Sequence, residues 1–402
     1  MDVDNYEFDA DDRYMVELGY SRAPSEILAL LKKEKPITLK FLDGYETCSS
    51  FKFGKLLGEG KVGSVYEIEE DNHKGLPVVL KEFTIKDTHK ILKNSSARGK
   101  NNPDTIYVLS SAFNDVVMSS LFHSFYDGPS KFSITFPYYE GFFSCDSTGY
   151  SIIEKLDMTF SKYCASDAFH PEVFRVLLFQ GLYSTRFMKQ NNVVHNDMHA
   201  KNVMIRHTKG ISYKGTRLDD VKNLSYKDGH KYYSHRNMGI IGKVVDFDFA
   251  AKYSEPGVVA QKVYTKRDDE WNLQYRFSES YDVMTFVAYM IFYTTIRNPG
   301  NGKLSGDDLQ KTRSMVHNVA EYIVKEAERT VGPIKVLDHY NKESNGKQRS
   351  RDAVSKLMDM VSVPQYRPYE KYCHLDLDNI LDIKAFKEFQ GKRDNSLLVG
   401  SL

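Results

Sequence analysis

The segment VVHNDMHAKNVMI, residues 193–205, constrains the fold more than any other part of the chain. Two short apolar runs bracket a polar loop, a pattern that predicts two strands joined by a turn carrying functional side chains. Asp197 and Asn202 stand five residues apart in this loop. A carboxylate can accept the proton of a hydroxyl nucleophile, and an amide oxygen can hold a metal without adding charge. A plain polar turn would not need two histidines, an aspartate and an asparagine at these spacings.

The segment VVDFDF, residues 244–249, is another apolar run that ends in an aspartate. We expect the carboxylate of Asp246 to emerge at the strand end, a position that suits a ligand of Mg²⁺ bridging nucleotide phosphates. Mg²⁺ takes few carboxylates and completes its shell with water and phosphate oxygens. Asn202 and Asp246 are therefore the predicted ligands of Mg²⁺ (or Mn²⁺). Asp248 is interpreted as a turn or capping residue, with a second metal role as the alternative.

A glycine-rich turn precedes these segments. FKFGKLLGEGKVGSVYEIEE predicts a strand, a turn with Gly58, Gly60 and Gly63, and a second strand. Glycine lets a polyphosphate approach exposed backbone N–H groups. In dinucleotide-binding folds the same spacing opens a helix, whereas here the sequence continues as a strand with Val65 after the turn. This continuation favours a flap over phosphates, and a plain hairpin is the alternative.

Lys81 lies in the apolar strand VVLK, about 18 residues beyond the last glycine of the turn. Its stem would lie in the core, and its ammonium needs an anionic partner because an unpaired buried charge is costly. An ATP phosphate is such a partner. An edge-strand lysine in water is the alternative, which the preceding glycine turn disfavours.

Predicted strands dominate the first part of the chain and helices the second, an order that indicates an α+β fold in two lobes. Residues 1–50 form an N-terminal extension of unassigned role. The basic stretch 86–100 and a long insertion at about 206–243 are expected to be solvated loops. Helical spacing occurs in the segments 110–122, 173–190, 281–294, 314–330 and, in a short last helix, 382–389.

The composition excludes several classes of function. The 55 basic and 54 acidic residues give a net charge of +1, so no overall field attracts nucleic acid or an anionic membrane. Four cysteines without a CxxC pair favour neither a zinc site nor a disulfide framework, and a reducing compartment is expected. The acidic N-terminus lacks the apolar region of a signal peptide. The longest uncharged apolar run, 283–296, is too short to span a bilayer.

These elements occur in the order of the eukaryotic-type protein kinase signature, and the chain resembles that family over roughly residues 51–390. The resemblance implies a two-lobed protein-kinase-like fold that binds ATP. A small β-rich lobe would span 51–156, and a larger helical lobe would span 157–402 and carry the insertion.

The resemblance also implies a role for each matching residue. The residues implied to contact ATP are Gly58, Gly60, Gly63, Val65, Val79, Lys81, Glu154 and Leu156. Glu154 and Leu156 would face adenine through backbone groups, and Lys81 would pair with the α and β phosphates. Asp197 resembles the catalytic aspartate, and Asp282 resembles the buried aspartate that anchors the catalytic loop from below.

Several positions depart from the family pattern. Asn196 replaces the arginine that reads a phosphate on the activation loop, so we expect this control to be absent. The helix that supplies a glutamate to the lysine offers only Asp115 or Asn114 to Lys81, and Asp115 is the preferred partner. His199 stands where common protein kinases carry lysine, which implies either a contact with the γ phosphate or a structural role.

This set of departures resembles the protein kinases encoded by large cytoplasmic DNA viruses. The resemblance implies a serine/threonine kinase acting on protein substrates in the host cytoplasm or packaged in the virion. Two alternatives remain open. Protein kinases end the activation segment with an APE motif, and none occurs here before Asp282. This absence and His199 also suit a small-molecule kinase of the aminoglycoside or choline type. The altered activation machinery suits a pseudokinase scaffold.

Overall fold

The structure, a computed structural model, describes residues 18–20, 53–59, 63–68, 76–84, 89–93, 105–124, 133–145, 148–253, 257–260, 280–296, 299–334, 353–362, 372, 375–391 and 396–401. The predicted N-terminal extension lies outside these residues except for 18–20, and Gly60 of the glycine turn also lies outside them.

The strands are β1 (Leu18–Tyr20), β2 (Phe53–Glu59), β3 (Gly63–Ile68), β4 (Val78–Thr84), β5 (His89–Lys93), β6 (Thr105–Leu109), β7 (Tyr139–Cys145), β8 (Thr148–Glu154), β9 (Met158–Thr159), β10 (Val193–Val194), β11 (Val203–His207), β12 (Ser212–Tyr213), β13 (Thr216–Arg217), β14 (Asn223–Asp228), β15 (Lys231–Arg236), β16 (Ile240–Val244), β17 (Ala251–Lys252), β18 (Gly257–Ala260) and β19 (Leu397–Ser401). The α-helices are α1 (Ser111–Ser124), α2 (Phe160–Cys164), α3 (Pro171–Gln190), α4 (Tyr281–Ile291), α5 (Gly306–Val331) and α6 (Ala353–Ser362). This mixture of sheets and helices agrees with the predicted α+β class.

A five-stranded antiparallel sheet has the order β2-β3-β4-β8-β7. Successive side chains of a strand point to opposite faces. Val78 and Leu80 of β4 therefore join a small apolar cluster on one face, and Phe83 joins the main core on the other. Lys81 shares the face of Val79 and Phe83, so its side chain points toward the main core.

A second sheet, in the order β1-β5-β6-β18-β17-β10, corrects one sequence prediction. The stretch 86–100 was expected to be a loop, but β5 lies within it and pairs with β1 and β6. Strand β1 is about 70 residues away along the chain and β6 lies outside the basic stretch, so the composition of the stretch alone did not indicate the pairing. The same sheet ends at β10 and β17, which flank the polar loop and the aspartate loop.

Helix α3 is the centre of the main core. His170 caps it, because its Nδ1 accepts the N–H of Glu172 at 3.2 Å, and Pro171 occupies the first turn as the sequence indicates. Its residues Leu177, Leu178 and Phe179 are fully buried. Helix α4 continues beyond Ile291 as a π-helical segment, Phe292–Ile296. The last predicted helix, 382–389, forms instead a 3-10 helix, Lys384–Phe389.

The long insertion is folded, and the expectation of a solvated loop is wrong for it. Strands β11 and β16 form its base. Above them β14 pairs with β15 and, in parallel, with β19 near the C-terminal end. Leu224 and Tyr226 lie on one face of β14 and are buried. Tyr226 and Tyr233 contact the ring of Phe179 of α3, so the insertion covers one side of the core.

Among the residues described here, no helix is both long and apolar enough to cross a membrane.

Candidate functional site

A cavity of about 420 Å³ lies between the five-stranded sheet and the helical part of the molecule. Its volume falls within the range of small-molecule and cofactor sites. The residues of β2, β3 and β4 that line it include Gly58, Val65, Val79 and Lys81. Of the predicted nucleotide-contacting residues that the structure describes, Gly63 alone does not line this cavity.

The opposite wall of the cavity was not anticipated from the sequence. Met204 of β11 and Met158 of β9 line it, on adjacent strands that pair at Met204–Thr159 and Ile205–Met158. Met204 stands two residues after Asn202, and its apolar character in that strand was the available signal. Phe136 and Tyr139 extend the lining behind Lys81.

Lys81 is held by two carboxylates. Its Nζ lies 2.8 Å from Oδ2 of Asp115 in α1 and 3.7 Å from Oδ1 of Asp246. Burial lowers the pKa of Lys81, but Asp115 and then Asp246 raise it by more, so the net shift is upward and the ammonium stays charged. Of the two candidates on the helix, the structure places Asp115 against Lys81.

The polar loop between β10 and β11 carries Asp197 and Asn202. The amide Nδ2 of Asn202 donates to the backbone oxygen of Asp197 at 3.0 Å and to its Oδ2 at 3.3 Å. Burial raises the pKa of Asp197, and His199 opposes that shift. The amide nitrogen of Asn202 faces Asp197, so the amide oxygen of Asn202 can act as a ligand of a cation.

His199 is oriented by the backbone. Its Nδ1 accepts the N–H groups of Lys201 and Asn202, each at 3.2 Å. A neutral ring that accepts at Nδ1 carries its proton on Nε2, and this Nε2 lies 3.6 Å from Oδ2 of Asp197. Burial lowers the pKa of His199, which favours the neutral ring. His199 therefore offers one N–H donor beside the carboxylate.

Asp282 in α4 anchors the loop from below, in agreement with the expectation. Its Oδ2 accepts the N–H of His195 at 2.7 Å, and its Oδ1 accepts the N–H of Asn196 at 2.9 Å. Asn196 has φ = 62°, in the left-handed region that asparagine tolerates better than most residues. The two hydrogen bonds that Asp282 accepts hold the backbone of Asn196 in this conformation.

Asp246 lies two residues beyond the end of β16, in a segment that is hydrogen-bonded to the polar loop. The N–H of Val245 donates to the backbone oxygen of Asn202 at 2.9 Å, which brings Asp246 next to Asn202. In the described part of the chain, no three His, Cys, Asp or Glu side chains form a metal cluster. One carboxylate and one amide oxygen form an incomplete set of hard ligands. Such a set fits a Mg²⁺ or Mn²⁺ ion whose remaining ligands are water and phosphate oxygens.

Glu154, the last residue of β8, and Leu156 both line the cavity. The N–H of Glu154 is already paired, because it donates to the backbone oxygen of Tyr138 at 2.8 Å. The Glu154 side chain forms a buried ion pair with Lys243, whose Nζ lies 2.5 Å from Oε2.

The two described glycines of the turn have different roles. A Cβ at Gly58 would meet no atom within 4 Å, so the space above it is open to a ligand. A Cβ at Gly63 would lie 1.7 Å from the backbone oxygen of Glu82. Gly63 is therefore required for the close approach of β3 to β4, and Gly58 borders the cavity.

No protein-family model matches this sequence, and no curated protein matches it.

Proposed function

We propose that this chain is a serine/threonine protein kinase that uses ATP with Mg²⁺ or Mn²⁺. The observation that carries the proposal is the grouping of four polar residues at one cavity. Lys81 and Asp246 line it, and the loop that carries Asp197 and Asn202 is hydrogen-bonded to the residue before Asp246. In this proposal the five-stranded sheet belongs to a small lobe, residues 51–156, and the helices belong to a larger lobe, residues 157–402. The nucleotide would lie between the two lobes.

The cavity walls suit a purine. Val65 and Val79 lie on the sheet side and Met204 on the other side, so apolar groups would cover both faces of a flat base. Leu156 lies at the cavity edge, where its backbone groups would face the base. The open space at Gly58 would admit phosphates, and the charged Lys81 would bind the α and β phosphates.

The metal would be held by Asp246 and Asn202, whose oxygens are hard ligands. When bound, a divalent cation neutralises charge on the β and γ phosphates. Asp115 keeps Lys81 aligned beside this site through its 2.8 Å contact.

Asp197 would accept the proton of the substrate hydroxyl. The hydroxyl oxygen forms a bond to the γ phosphorus while the bond between that phosphorus and the bridging oxygen of ADP breaks. Proton transfer to Asp197 comes late, because the transition state of phosphoryl transfer is loose. The Nε2 of His199 lies 3.6 Å from this carboxylate, and its N–H would donate to an oxygen of the transferred group.

A small-molecule kinase is the second candidate, and His199 favours it. A neutral histidine donor beside the catalytic carboxylate replaces the lysine of common protein kinases. We retain the protein kinase as the leading proposal because the glycine turn accompanies the other positions. The resemblance to kinases of large cytoplasmic DNA viruses supports a place of action in the host cytoplasm or the virion.

The test is transfer of labelled phosphate from MgATP by the purified full chain to mixed acidic and basic proteins, and separately to metabolite pools. Asp197→Asn and Lys81→Met should each abolish the transfer to protein. Asp307→Asn, which removes an exposed carboxylate in the first turn of α5, is the matched control and should retain it. Transfer to a metabolite alone would establish the second candidate. ATP binding without any turnover would refute both and leave a scaffold.

A further inference from the structure

The loop that follows β16, residues 245–250, is held by side chains from outside itself. The amide Nδ2 of Asn114 in α1 donates to the backbone oxygens of Phe247 at 2.8 Å and of Ala250 at 2.9 Å. The next residue of the helix, Asp115, accepts the N–H of Phe247 on Oδ1 at 2.8 Å. Asn114 is fully buried, so these hydrogen bonds form away from water.

The polar loop holds the same segment from the other side. Nδ2 of Asn196 donates to the backbone oxygen of Phe249 at 3.1 Å. The ring nitrogen Nε2 of His195 lies 3.0 Å from the backbone oxygen of Val245. The ring of Phe247 lies 5.1 Å from that of His195 and is almost completely buried. The backbone on both sides of Asp246 is therefore fixed by contacts with two separate elements.

The chemistry of these contacts has a consequence for regulation. Asn114 and Asn196 donate through neutral amides whose acceptors are backbone oxygens. Neither contact requires a group added after synthesis, in contrast to an arginine that waits for a phosphate. Asp246 itself has φ = 68°, a left-handed conformation that costs energy unless its surroundings hold it.

We propose that Asn114 and Asn196 are positioning residues that hold Asp246 in its metal-binding position without phosphorylation of the chain. This inference rests on the proposed function, since it assigns a metal to Asp246. The fixed loop is a property of the free protein. It is therefore measurable without turnover.

The first readout is hydrogen exchange of the free protein, without nucleotide or metal. The amide of Phe247 should exchange slowly in the wild type. We expect its exchange to accelerate about tenfold or more in Asn114→Leu, because each lost hydrogen bond contributes up to about tenfold. Val117→Ala, a buried packing change on the same helix, is the matched control and should leave this amide at its wild-type protection relative to global unfolding.

Asn196→Gly provides a second variant that is independent of the buried helix. Glycine adopts φ near 62° freely, so the substitution removes the amide but not the backbone conformation. We expect the amide of Ala250 and its neighbours to exchange faster. The Mg²⁺ concentration for half-maximal activity should rise about fivefold or more at an unchanged KM for the protein substrate.

Phosphatase-treated wild type, verified by mass spectrometry, should retain full activity. Loss of activity on this treatment would overturn the proposal, as would wild-type protection of the loop in both variants. Failure of Asp197→Asn to reduce transfer would refute the proposed function instead, so the two failures are distinguishable.

Discussion

The buried ion pair of Glu154 and Lys243 connects the end of β8 to β16, and its loss should have a characteristic energetic signature. Both side chains are fully buried, and Nζ lies 2.5 Å from Oε2. The same oxygen accepts the N–H of Tyr138 at 2.9 Å, and Nε of Arg206 lies 3.7 Å from Oε1. Burial lowers the pKa of Lys243 to about 8, although Glu154 opposes that shift.

Lys243→Met should lower the free energy of unfolding by about 3–4 kcal/mol. Breaking a buried pair commonly costs about 3–5 kcal/mol because a charge is left unpaired. The loss has an upper bound, since protonating a carboxylate at pH 7 costs about 4 kcal/mol from an ordinary pKa near 4.3. Glu154→Gln should cost only about 1–2 kcal/mol. The reason is that Lys243, whose pKa burial already lowers, can lose its proton more readily once the carboxylate that opposes this shift is gone.

The double variant separates coupling from simple loss of contacts. With both charges removed, no unpaired ion remains, so the double variant should be more stable than Lys243→Met alone.

Equilibrium urea denaturation at pH 7, followed by circular dichroism, would measure these quantities. Lys303→Met is the control, because its pair with Asp167 at 2.9 Å is exposed on both sides. Its loss should cost under about 1 kcal/mol. Strict additivity of the two single changes would refute the coupling deduced from this contact.

Gly63→Ala should lower the free energy of unfolding by about 1–3 kcal/mol, because the added Cβ would lie 1.7 Å from the backbone oxygen of Glu82. Gly58→Ala is the control and should leave the urea midpoint unchanged, since its Cβ would meet no atom within 4 Å. Equal midpoints for the two variants would contradict this prediction. In the folded protein, burial lowers the pKa of His235 to about 4. Below pH 6.5 the unfolded chain therefore binds a proton that the folded chain does not, so lowering the pH from 6.5 to 4 should reduce the free energy of unfolding by about 3 kcal/mol. This slope should be absent in His235→Gln, and its persistence there would assign it to other groups. His199→Ala should lower kcat about tenfold or more without weakening ATP binding measured by calorimetry, and an unchanged kcat would leave His199 a structural role.

The structure agrees with the sequence on local placement where the candidate residues are concentrated in short segments. The polar loop and the aspartate loop each carry their candidate residues next to strands, so the strand ends fix where those side chains emerge. The sequence offered two adjacent helix residues, Asn114 and Asp115, as partners of Lys81. The choice between them depends on how α1 packs, and the structure has Oδ2 of Asp115 at 2.8 Å from Nζ of Lys81. The roles assigned to these residues remain predictions.

The features missed by sequence reasoning depend on pairing between distant segments. Strand β14 pairs with β19 more than 150 residues further along the chain, and β5 pairs with β1 across most of the first hundred residues. The buried glutamate–lysine pair joins two strands that look ordinary when each is considered alone. Charged residues indicate exposure on average, so burial of such a pair follows only from the tertiary structure.

Two of the five described non-glycine residues with positive φ lie where the proposed chemistry would occur. Asn196 and Asp246 both have positive φ without being glycine, and such residues cost about 1–3 kcal/mol unless their surroundings determine them. Each is held by hydrogen bonds to its own or a neighbouring backbone group: Asp282 accepts the N–H of Asn196, and Asn114 and Asp115 hold Phe247. Glycine would relieve the strain at these two positions but would lose the contacts of the Asn196 amide with Phe249 and of the Asp246 carboxylate with Lys81. The side chains that remain, an amide and a carboxylate, are the ones that hold the loop and bind the cation in the proposed mechanism.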